Sequence, residues 1–407
     1  MDLRNVIKEI ILEFQERGIP NYIPRAIQVP AFKKINKAIS IVGPRRAGKT
    51  YLMYQIMEER VEDIERVLYV NLEDDRLFDM KGKDMGQILD SYKELYPEKT
   101  PVVFLDEIQV VPGWEKFVRR LVDSGAEVYI SGSSSKLISR ELATTLRGRA
   151  ITVNVYPLSF REFLRFNGIK LNKNWEHSSQ RLKVKRLFDQ FMKTSGFPEI
   201  VLENDLSLID DYFKTIFLRD IVERYRIKNL DLMELLMKYL VKNYARDFSI
   251  NKFHNFAKSL GYKSSTSVVR SYLRMLQESY FTYLVPVWRK GKKEFIYSKK
   301  SYIVDHGFFN YLLPEVDPGR LLENIIFEEL LKSGRKVNYY KNERECDFIT
   351  EDLAIQVTYR LDEENEQREI EGLSLAERHT KKKGVIVTYD QERSKPRIIP
   401  AYKFLLK

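Results

Sequence analysis

At residues 43–50 the chain reads Gly-Pro-Arg-Arg-Ala-Gly-Lys-Thr, after the apolar run Ala38–Val42 and before a helical pattern that starts at Tyr51. The spacing fits G-x-x-x-x-G-K-[ST], in which glycines let the backbone wrap around phosphates and the following helix adds inward-pointing N–H groups. We therefore predict an ATP phosphate-binding loop, in which Lys49 reaches the β- and γ-phosphates and Thr50 binds Mg²⁺. The expected nucleotide contacts are Gly43, Pro44, Arg45, Arg46, Ala47, Gly48, Lys49, Thr50 and Tyr51.

Short apolar runs recur around this loop, with helical patterns between them. They are Ala38–Val42, Val67–Asn71, Val102–Asp106, Glu127–Ser131 and Ile151–Val155. Continuous Val/Ile/Leu runs that alternate with helices are typical of a parallel sheet with both faces covered. We therefore predict an α/β core of the P-loop NTPase class over residues 1–155.

The third run ends in two adjacent carboxylates, Asp106 and Glu107. Parallel sheets bind ligands at the carboxyl ends of their strands. We expect Asp106 to hold Mg²⁺ through its water shell and Glu107 to orient and polarise the attacking water. The pair predicts that the site hydrolyses the nucleotide as well as binding it.

The fourth run leads into Ser131-Gly-Ser-Ser-Ser135. A polar side chain at this strand tip is expected to touch the γ-phosphate or the attacking water, with Ser133 as the first candidate and Ser131 as the second. A helix N-cap is the alternative role of these serines.

Two arginines follow in the segment Leu146-Arg147-Gly148-Arg149. An arginine placed here can stabilise the charge that develops in the transition state, in its own subunit or in a neighbouring one. Arg147 and Arg149 are both candidates, and a structural ion pair is the alternative.

These segments, together and in this order, resemble the AAA+-type ATPases of archaea and bacteria that carry a C-terminal domain of unknown function, DUF4143. Further segments shared with that family are Phe160–Phe163, Ser195–Glu199 and Leu218–Tyr225. The resemblance implies a P-loop NTPase parallel sheet with an AAA+-like helical lid, a winged helix-turn-helix and a C-terminal restriction-endonuclease-like α/β domain. The corresponding boundaries are 1–155 for the ATPase core, 156–230 for the lid, 231–300 for the winged helix and 301–407 for the nuclease-like domain.

The positive charge of the chain is concentrated in one window. The 407 residues carry a net charge of +11, of which residues 241–300 contribute +10, while residues 301–407 carry −3. A concentrated excess of cations predicts a surface that faces a polyanion.

The composition predicts a soluble, cytoplasmic protein. Hydrophobic residues make up 43% of the chain, which argues against disorder. The single cysteine, Cys346, excludes a disulfide framework and fits a reducing compartment. No run of 18 apolar residues is present, so we expect no membrane partner.

The basic window itself has the pattern of a winged helix-turn-helix. Helices are predicted over 231–244, from Ser249 to about Gly261, and over 264–278, followed by a hairpin with a basic tip. The third helix of such a fold enters the major groove of double-stranded DNA, and Val268 and Val269 are expected to face inward. The predicted DNA contacts are Lys263, Arg270, Arg274, Arg289, Lys290, Lys292 and Lys293. A lid on the ATPase or a surface for a protein partner is the alternative.

The C-terminal region has part of the carboxylate pattern of restriction-endonuclease-like folds. Those folds use a helix glutamate, a strand aspartate and [D/E]-x-Lys to hold Mg²⁺ and activate water. Glu323 and Asp347 occupy the first two positions, but Gln356 replaces the next carboxylate and Thr358 replaces the lysine. We therefore predict a degenerate nuclease site on a scaffold that contacts a partner or a second subunit.

The features together favour a Mg²⁺-dependent ATPase of AAA+ type that binds DNA. A nucleotide switch is the alternative, in which ATP binding controls a signalling or assembly platform and residues 231–300 contact a protein. An active metal-dependent nuclease is the third hypothesis.

Overall fold

The computed structural model describes residues 2–31, 37–134, 150–289 and 299–407. The chain divides into two compact units, Met1–Val155 and Tyr156–Lys407. None of the helices in the described ranges is both long enough and apolar enough to cross a membrane.

The first unit is built on a five-stranded parallel sheet with the strand order β2-β3-β4-β1-β5. The predicted parallel sheet is therefore confirmed, with strand limits within one residue of those expected. The strands are β1 (Ala38–Val42), β2 (Val67–Asn71), β3 (Val102–Asp106), β4 (Glu127–Gly132) and β5 (Ala150–Asn154). β1 to β3 are buried along their length except for Asn71, which explains their unbroken apolar sequences.

Helices cover this sheet. α1 (Leu3–Arg17) is capped by Asp2, whose carboxylate accepts the Arg4 N–H at 3.3 Å, and it buries an apolar stripe that ends at Phe14. α2 (Lys49–Arg60) starts directly after the glycine-rich loop. α3 (Gly86–Leu95) and α4 (Glu115–Asp123) follow β2 and β3. All the loops that follow strands β1 to β4 leave the same edge of the sheet, because the strands are parallel.

The second unit begins with helices. α5 (Phe160–Phe166) starts at a capping box, in which the Ser159 hydroxyl accepts the Glu162 N–H and the Glu162 carboxylate accepts the Ser159 N–H. The helices that follow are α6 (Gln180–Lys193), α7 (Pro198–Glu203) and α8 (Leu208–Thr215), the last of which continues as a π-helix over Ile216–Glu223. One hydrophobic core extends from Phe160 to Leu406.

Three helices and a small antiparallel sheet form the middle of this unit. The helices are α9 (Leu230–Lys242), α10 (Ile250–Ser259) and α11 (Thr266–Glu278), and the strands are β6 (Arg246–Phe248), β7 (Thr282–Pro286) and β8 (Lys299–Ile303), in the order β6-β8-β7. Ser249 caps α10 as the sequence predicts. Val268 was expected to face inward, but its side chain is exposed, whereas Val269 is buried.

A five-stranded mixed sheet completes the unit, in the order β13-β12-β11-β10-β9. Its strands are β9 (Asn338–Lys341), β10 (Glu345–Ile349), β11 (Leu353–Val357), β12 (Lys383–Thr388) and β13 (Ile398–Pro400). The helices around it are α12 (Gly307–Leu312), α13 (Pro318–Lys332), α14 (Glu366–Thr380) and α15 (Ala401–Phe404). β9, β10 and β11 are antiparallel, and β11, β12 and β13 are parallel. The division of residues 156–407 into a lid, a winged helix and a nuclease-like domain stays a prediction.

Candidate active site

The loop between β1 and α2 adopts backbone conformations that require glycine. Gly48 caps α2 with φ at +92°, in the left-handed region that glycine enters without steric cost. A Cβ atom on Gly43 would lie 1.8 Å from the Val155 carbonyl oxygen, so no larger residue fits where β1 leaves the sheet. Arg46 also has a positive φ, +61°. These features give the loop its tight turn at the carboxyl end of β1.

Lys49 points into this loop. Its side chain is 4% exposed, and its Nζ donates a hydrogen bond of 3.2 Å to the Pro44 carbonyl. The same Nζ lies 3.4 Å from Glu107 Oε1. A buried ammonium therefore lies between the loop backbone and the strand-end carboxylate, as expected for a group that meets phosphates.

Asp106 is buried at the end of β3 and its carboxylate is held by three hydroxyl groups. Thr50 Oγ1 donates to Asp106 Oδ2 at 2.7 Å, and Tyr69 OH donates to the same oxygen at 3.1 Å. Ser131 Oγ donates to Asp106 Oδ1. The two residues predicted to serve Mg²⁺, Thr50 and Asp106, are therefore in direct contact although they are 56 positions apart in the chain.

Glu107 occupies a left-handed backbone conformation, with φ at +50°, which is uncommon for a residue with a side chain. Its N–H donates to Ser131 Oγ at 3.0 Å. Gln109 Nε2 donates to Glu107 Oε2 at 2.5 Å and lies 3.4 Å from Ser133 Oγ. The Glu107 carboxylate is therefore held between the Lys49 ammonium and the Gln109 amide.

The two carboxylates differ in proton affinity. Burial, and then the charge of Glu107, raise the pKa of Asp106 above its ordinary value. Burial also raises the pKa of Glu107, but the nearby Lys49 ammonium and the Gln109 amide outweigh it and hold this pKa below its ordinary value. Glu107 is thus ionised at neutral pH, which a group that polarises water requires.

The other predicted nucleotide contacts lie around the loop. Arg45 forms an ion pair with Glu73, with 2.7 Å between NH2 and Oε1. Tyr51 is half exposed and packs edge-to-face on Tyr54. Arg147 and Arg149 lie outside the described residues.

The oxygen groups at this site fit Mg²⁺. A carboxylate and a threonine hydroxyl that share a 2.7 Å hydrogen bond are the hard oxygen donors that this ion prefers, and Mg²⁺ keeps waters for its remaining positions. Tyr69 and Gln109 were not singled out as site residues. Gln109 lies two residues after Glu107, outside the carboxylate pair that the sequence pointed to, and Tyr69 lies on a neighbouring strand, so neither residue gave a sequence signal.

Several predicted DNA contacts are exposed together. Lys263 precedes α11, and Arg270 and Arg274 lie on it, all three with exposed side chains. Arg274 is 3.8 Å from Glu278. Arg289 is exposed in the segment that follows β7, and Lys290, Lys292 and Lys293 lie outside the described residues.

A second carboxylate cluster lies between β8, β10 and α13, and its centre is a lysine that the sequence did not point to. Lys300 is buried, and its Nζ lies 3.0 Å from Glu323 Oε1, 3.0 Å from Asp347 Oδ1 and 2.5 Å from Glu345 Oε1. Tyr302 OH also donates to Glu323 Oε1, at 2.6 Å. The predicted pair Glu323 and Asp347 does come together, but around an ammonium group.

Gln356 has a different environment. Its Nε2 donates to Glu369 Oε2 on α14 at 2.5 Å, and the Thr358 hydroxyl donates to the Arg360 carbonyl. The residues therefore do not fit a Mg²⁺ site of the nuclease kind, because Lys300 contacts the carboxylates that would bind the metal. Part of the basic window is correspondingly not available to a polyanion, since Lys300 belongs to that window.

A third polar cluster is formed by Asp305, His306 and Glu328, all buried. His306 Nε2 lies 2.7 Å from the Phe191 carbonyl, and Nδ1 lies 3.2 Å from both Glu328 oxygens. Burial lowers the pKa of His306, but Glu328 and Asp305 outweigh it and raise this pKa above its ordinary value. The Phe191 carbonyl and the Glu328 carboxylate are both acceptors, so the ring donates from Nε2 to Phe191 and, when protonated, from Nδ1 to Glu328, which links α6 to α13.

Comparison with known proteins agrees with the first of these sites. Residues 35–164 match the family described as "AAA domain", and residues 185–318 match a domain of unknown function, DUF8612. Uncharacterized protein MJ1544 of Methanocaldococcus jannaschii is 35% identical over 409 residues, covering 96% of this chain and 91% of that protein. An uncharacterized protein of Haemophilus influenzae is 30% identical over 364 residues, covering 84% and 87%. The chain belongs to the family of these two proteins.

The AAA-domain match covers the whole parallel sheet of the first unit and the phosphate-binding loop, which supports a P-loop nucleotide-binding fold. The DUF4143 domain expected from the resemblance is not shown, since the matching domain is DUF8612. Among solved structures, the Walker-type ATPase PABY2304 of Pyrococcus abyssi gives a TM-score of 0.43 at 13% identity, covering 75% of this chain and 94% of that chain. The Aeropyrum pernix Orc1 protein in complex with DNA gives a TM-score of 0.29 at 12% identity, covering 81% and 92%.

Proposed function

We propose that the AAA domain hydrolyses ATP with the help of Mg²⁺. The observation that carries this proposal is the ionised Glu107 carboxylate, held 3.4 Å from the buried Lys49 ammonium and adjacent to the Asp106–Thr50 pair. A site that only bound nucleotide would need Lys49 and the loop, but not a second carboxylate held by its own amide partner.

In this mechanism Lys49 and the loop N–H groups hold the phosphates, and Glu107 orients the attacking water and accepts its proton. Thr50 and Asp106 would hold Mg²⁺, which supplies Lewis-acid stabilisation of the phosphate oxygens. Ser133 or Ser131 contacts the γ-phosphate or the water, and Arg147 or Arg149 stabilises the developing charge from the same or a neighbouring subunit.

The test is ATP turnover in Glu107→Gln. The amide keeps the size of the side chain but cannot accept the proton, so we expect turnover to fall by roughly 10²–10⁴-fold while ATP binding persists. Glu98→Gln, which changes an exposed acid of the same unit, is the matched control. Turnover in Glu107→Gln equal to that of the control would remove Glu107 from the mechanism.

We further propose that residues 231–300 act as a winged helix that binds double-stranded DNA. Three helices followed by an antiparallel hairpin support this, together with the exposed Lys263, Arg270 and Arg274 at α11. Such a helix meets phosphates and base edges in the major groove. Lys290, Lys292 and Lys293, which lie outside the described residues, would add phosphate contacts.

The test is salt-dependent binding of duplex DNA by Arg270→Glu with Arg274→Glu. The logarithm of the association constant falls as the logarithm of the salt concentration rises, and each lost phosphate contact should make this dependence less steep by about 0.9. Lys170→Glu with Lys173→Glu, which changes two exposed lysines in the first part of the second unit, is the control of equal net charge. An unchanged slope would favour the alternative function, a nucleotide switch whose basic segment contacts a protein partner or another copy of the chain.

The third function, a metal-dependent nuclease, has less support. The buried ammonium of Lys300 contacts Glu323 and Asp347, the two carboxylates that such a site would use. If the protein cleaves plasmid DNA in the presence of Mn²⁺ and Asp347→Ala abolishes this cleavage, the nuclease function would be supported.

A further inference from the structure

A cavity of about 440 Å³ in the first unit is lined by cations and lies outside the ATP site. Its charged lining consists of Lys81 and Lys83, in the loop before α3, and Lys116 and Arg120, on α4. No carboxylate is among the described residues that line it. The nearby Asp84 carboxylate accepts the Lys81 backbone N–H at 3.1 Å.

The four cations are available for a ligand. All four side chains are exposed, and within the described part of the chain none of them forms an ion pair. Arg120 packs its guanidinium over the Phe117 ring, 5.5 Å from the ring centre, which orients it without neutralising it. Four like charges around one cavity repel one another, and a bound polyanion would relieve this repulsion.

The walls of the cavity are held at a fixed distance by glycine backbone. Gly82 N–H donates to the Pro112 carbonyl at 3.0 Å, and a Cβ on Gly82 would lie 2.5 Å from the Gly113 carbonyl oxygen. Gly113 has φ at +83°. The loops after β2 and β3 therefore meet in one defined arrangement, which no side chain at residue 82 would allow.

Gly86, the first residue of α3, also lines the cavity. A Cβ on Gly86 would lie 3.0 Å from Arg120 NH2, so glycine lets this guanidinium approach the helix start. The first turn of α3 contains no acidic residue, and no side chain caps its N–H groups. The Gln87 and Ile88 N–H groups donate to the Asp84 and Met85 carbonyls, so the Arg120 guanidinium is the group that the cavity offers to an anion at this helix start.

We propose that this cavity binds successive phosphate groups of one chain, either in the backbone of a single nucleic-acid strand or in a free oligophosphate. A single phosphate carries at most about two negative charges and would leave about half of the charge of Lys81, Lys83, Lys116 and Arg120 uncompensated, whereas a chain of phosphates matches it. The loop from Glu107 to Gly113 connects the ATP site to the wall of the cavity, so both sites lie at the same edge of the sheet.

The test uses the full chain with its ATP site saturated by Mg²⁺ and ADP. Two probes are titrated separately: sodium tripolyphosphate, and a fluorescein-labelled oligothymidylate. The variant is Lys83→Glu with Lys116→Glu, and the control of equal net charge is Lys93→Glu with Lys170→Glu, two exposed lysines that are not part of the cavity lining. Thermal unfolding of both double variants checks that they are folded.

We expect the cavity variant to bind at least one probe ten-fold or more weakly than the control. With the oligonucleotide, the decrease of log K with log salt should become less steep by about 0.7 for each lost phosphate contact. Loss confined to the oligonucleotide identifies a nucleic-acid strand, and loss confined to tripolyphosphate identifies a free oligophosphate. Equal affinities of variant and control for both probes would overturn the proposal. The winged-helix variant Arg270→Glu with Arg274→Glu serves as a separate readout, since it tests duplex binding without touching this cavity.

Discussion

Replacing Lys300 with methionine should destabilise the second unit strongly. The ammonium lies within 3.0 Å of the Glu323, Asp347 and Glu345 carboxylates, and the side chain is 6% exposed. Removing one partner of a buried ion pair costs about 3–5 kcal/mol, because the remaining charges lose their compensation. For a unit of this size that lowers Tm by roughly 10 °C.

The destabilisation should also depend on pH. Burial, and then the charge of Asp347, raise the pKa of Glu323 to about 7, from an ordinary value of 4.5. The folded carboxyl thus binds more protons than the unfolded one between these pH values, so acid favours the folded state there. Without Lys300 the pKa of Glu323 rises further. The stability difference between variant and wild type should therefore shrink as pH falls from 7 towards 5.

The assay is urea unfolding at several pH values, with Lys299→Met as the control. Lys299 is the neighbour of Lys300 on β8 and is partly exposed, so its substitution removes a similar side chain from the same strand. Mn²⁺ added without nucleotide should stabilise Lys300→Met more than wild type, because Glu323 and Asp347 become free to bind it. A loss below about 1 kcal/mol, or one equal to that of the control, would refute the role given to Lys300.

Three further predictions concern other parts of the chain. Gly43→Ala should abolish ATP binding, measured by fluorescent-nucleotide titration, because the added Cβ would lie 1.8 Å from a strand-end carbonyl oxygen. Gln109→Ala should lower kcat by about ten-fold with little change in ATP affinity, because the amide only positions Glu107; an equal loss of affinity would contradict this. In the wild type, the protonated His306 ring that faces Glu328 stabilises the fold fully below about pH 6.5, and this stabilisation is lost as pH rises through the raised pKa of His306. His306→Gln removes this contribution, so the unfolding free energy of the variant should vary less with pH above 6.5 than that of the wild type. Parallel pH profiles of His306→Gln and wild type would rule out that charge pair.

The ATPase site could be predicted well because its chemistry is local in sequence. Gly43, Gly48 and Lys49 belong to one loop, and Asp106 and Glu107 end one strand. Parallel strands bring their carboxyl ends to a common edge, so a motif in each loop is enough to predict that the two meet. The structure adds the partners Tyr69 and Gln109, which no spacing rule identified.

The interpretation of the basic window changes more. Its net charge of +10 predicted one polyanion-facing surface, and Lys263, Arg270 and Arg274 are indeed exposed. Lys300 is instead buried among carboxylates of the C-terminal sheet. Four other cations, at the cavity beside α3, lie in a region that is nearly neutral overall, so summed charge gave no sign of them.

The sequence by itself determined the parallel sheet, the phosphate loop and the paired carboxylates, because hydrophobic periodicity and glycine conformation act over a few neighbouring residues. Only the tertiary structure decided the state of the second carboxylate cluster. Lys300, Glu323 and Asp347 come from a strand of one sheet, a helix and a strand of another sheet, and their contact depends on how these three elements pack. The energy of a charge pair depends on the distance between the two charges, and residue spacing in the sequence does not give that distance.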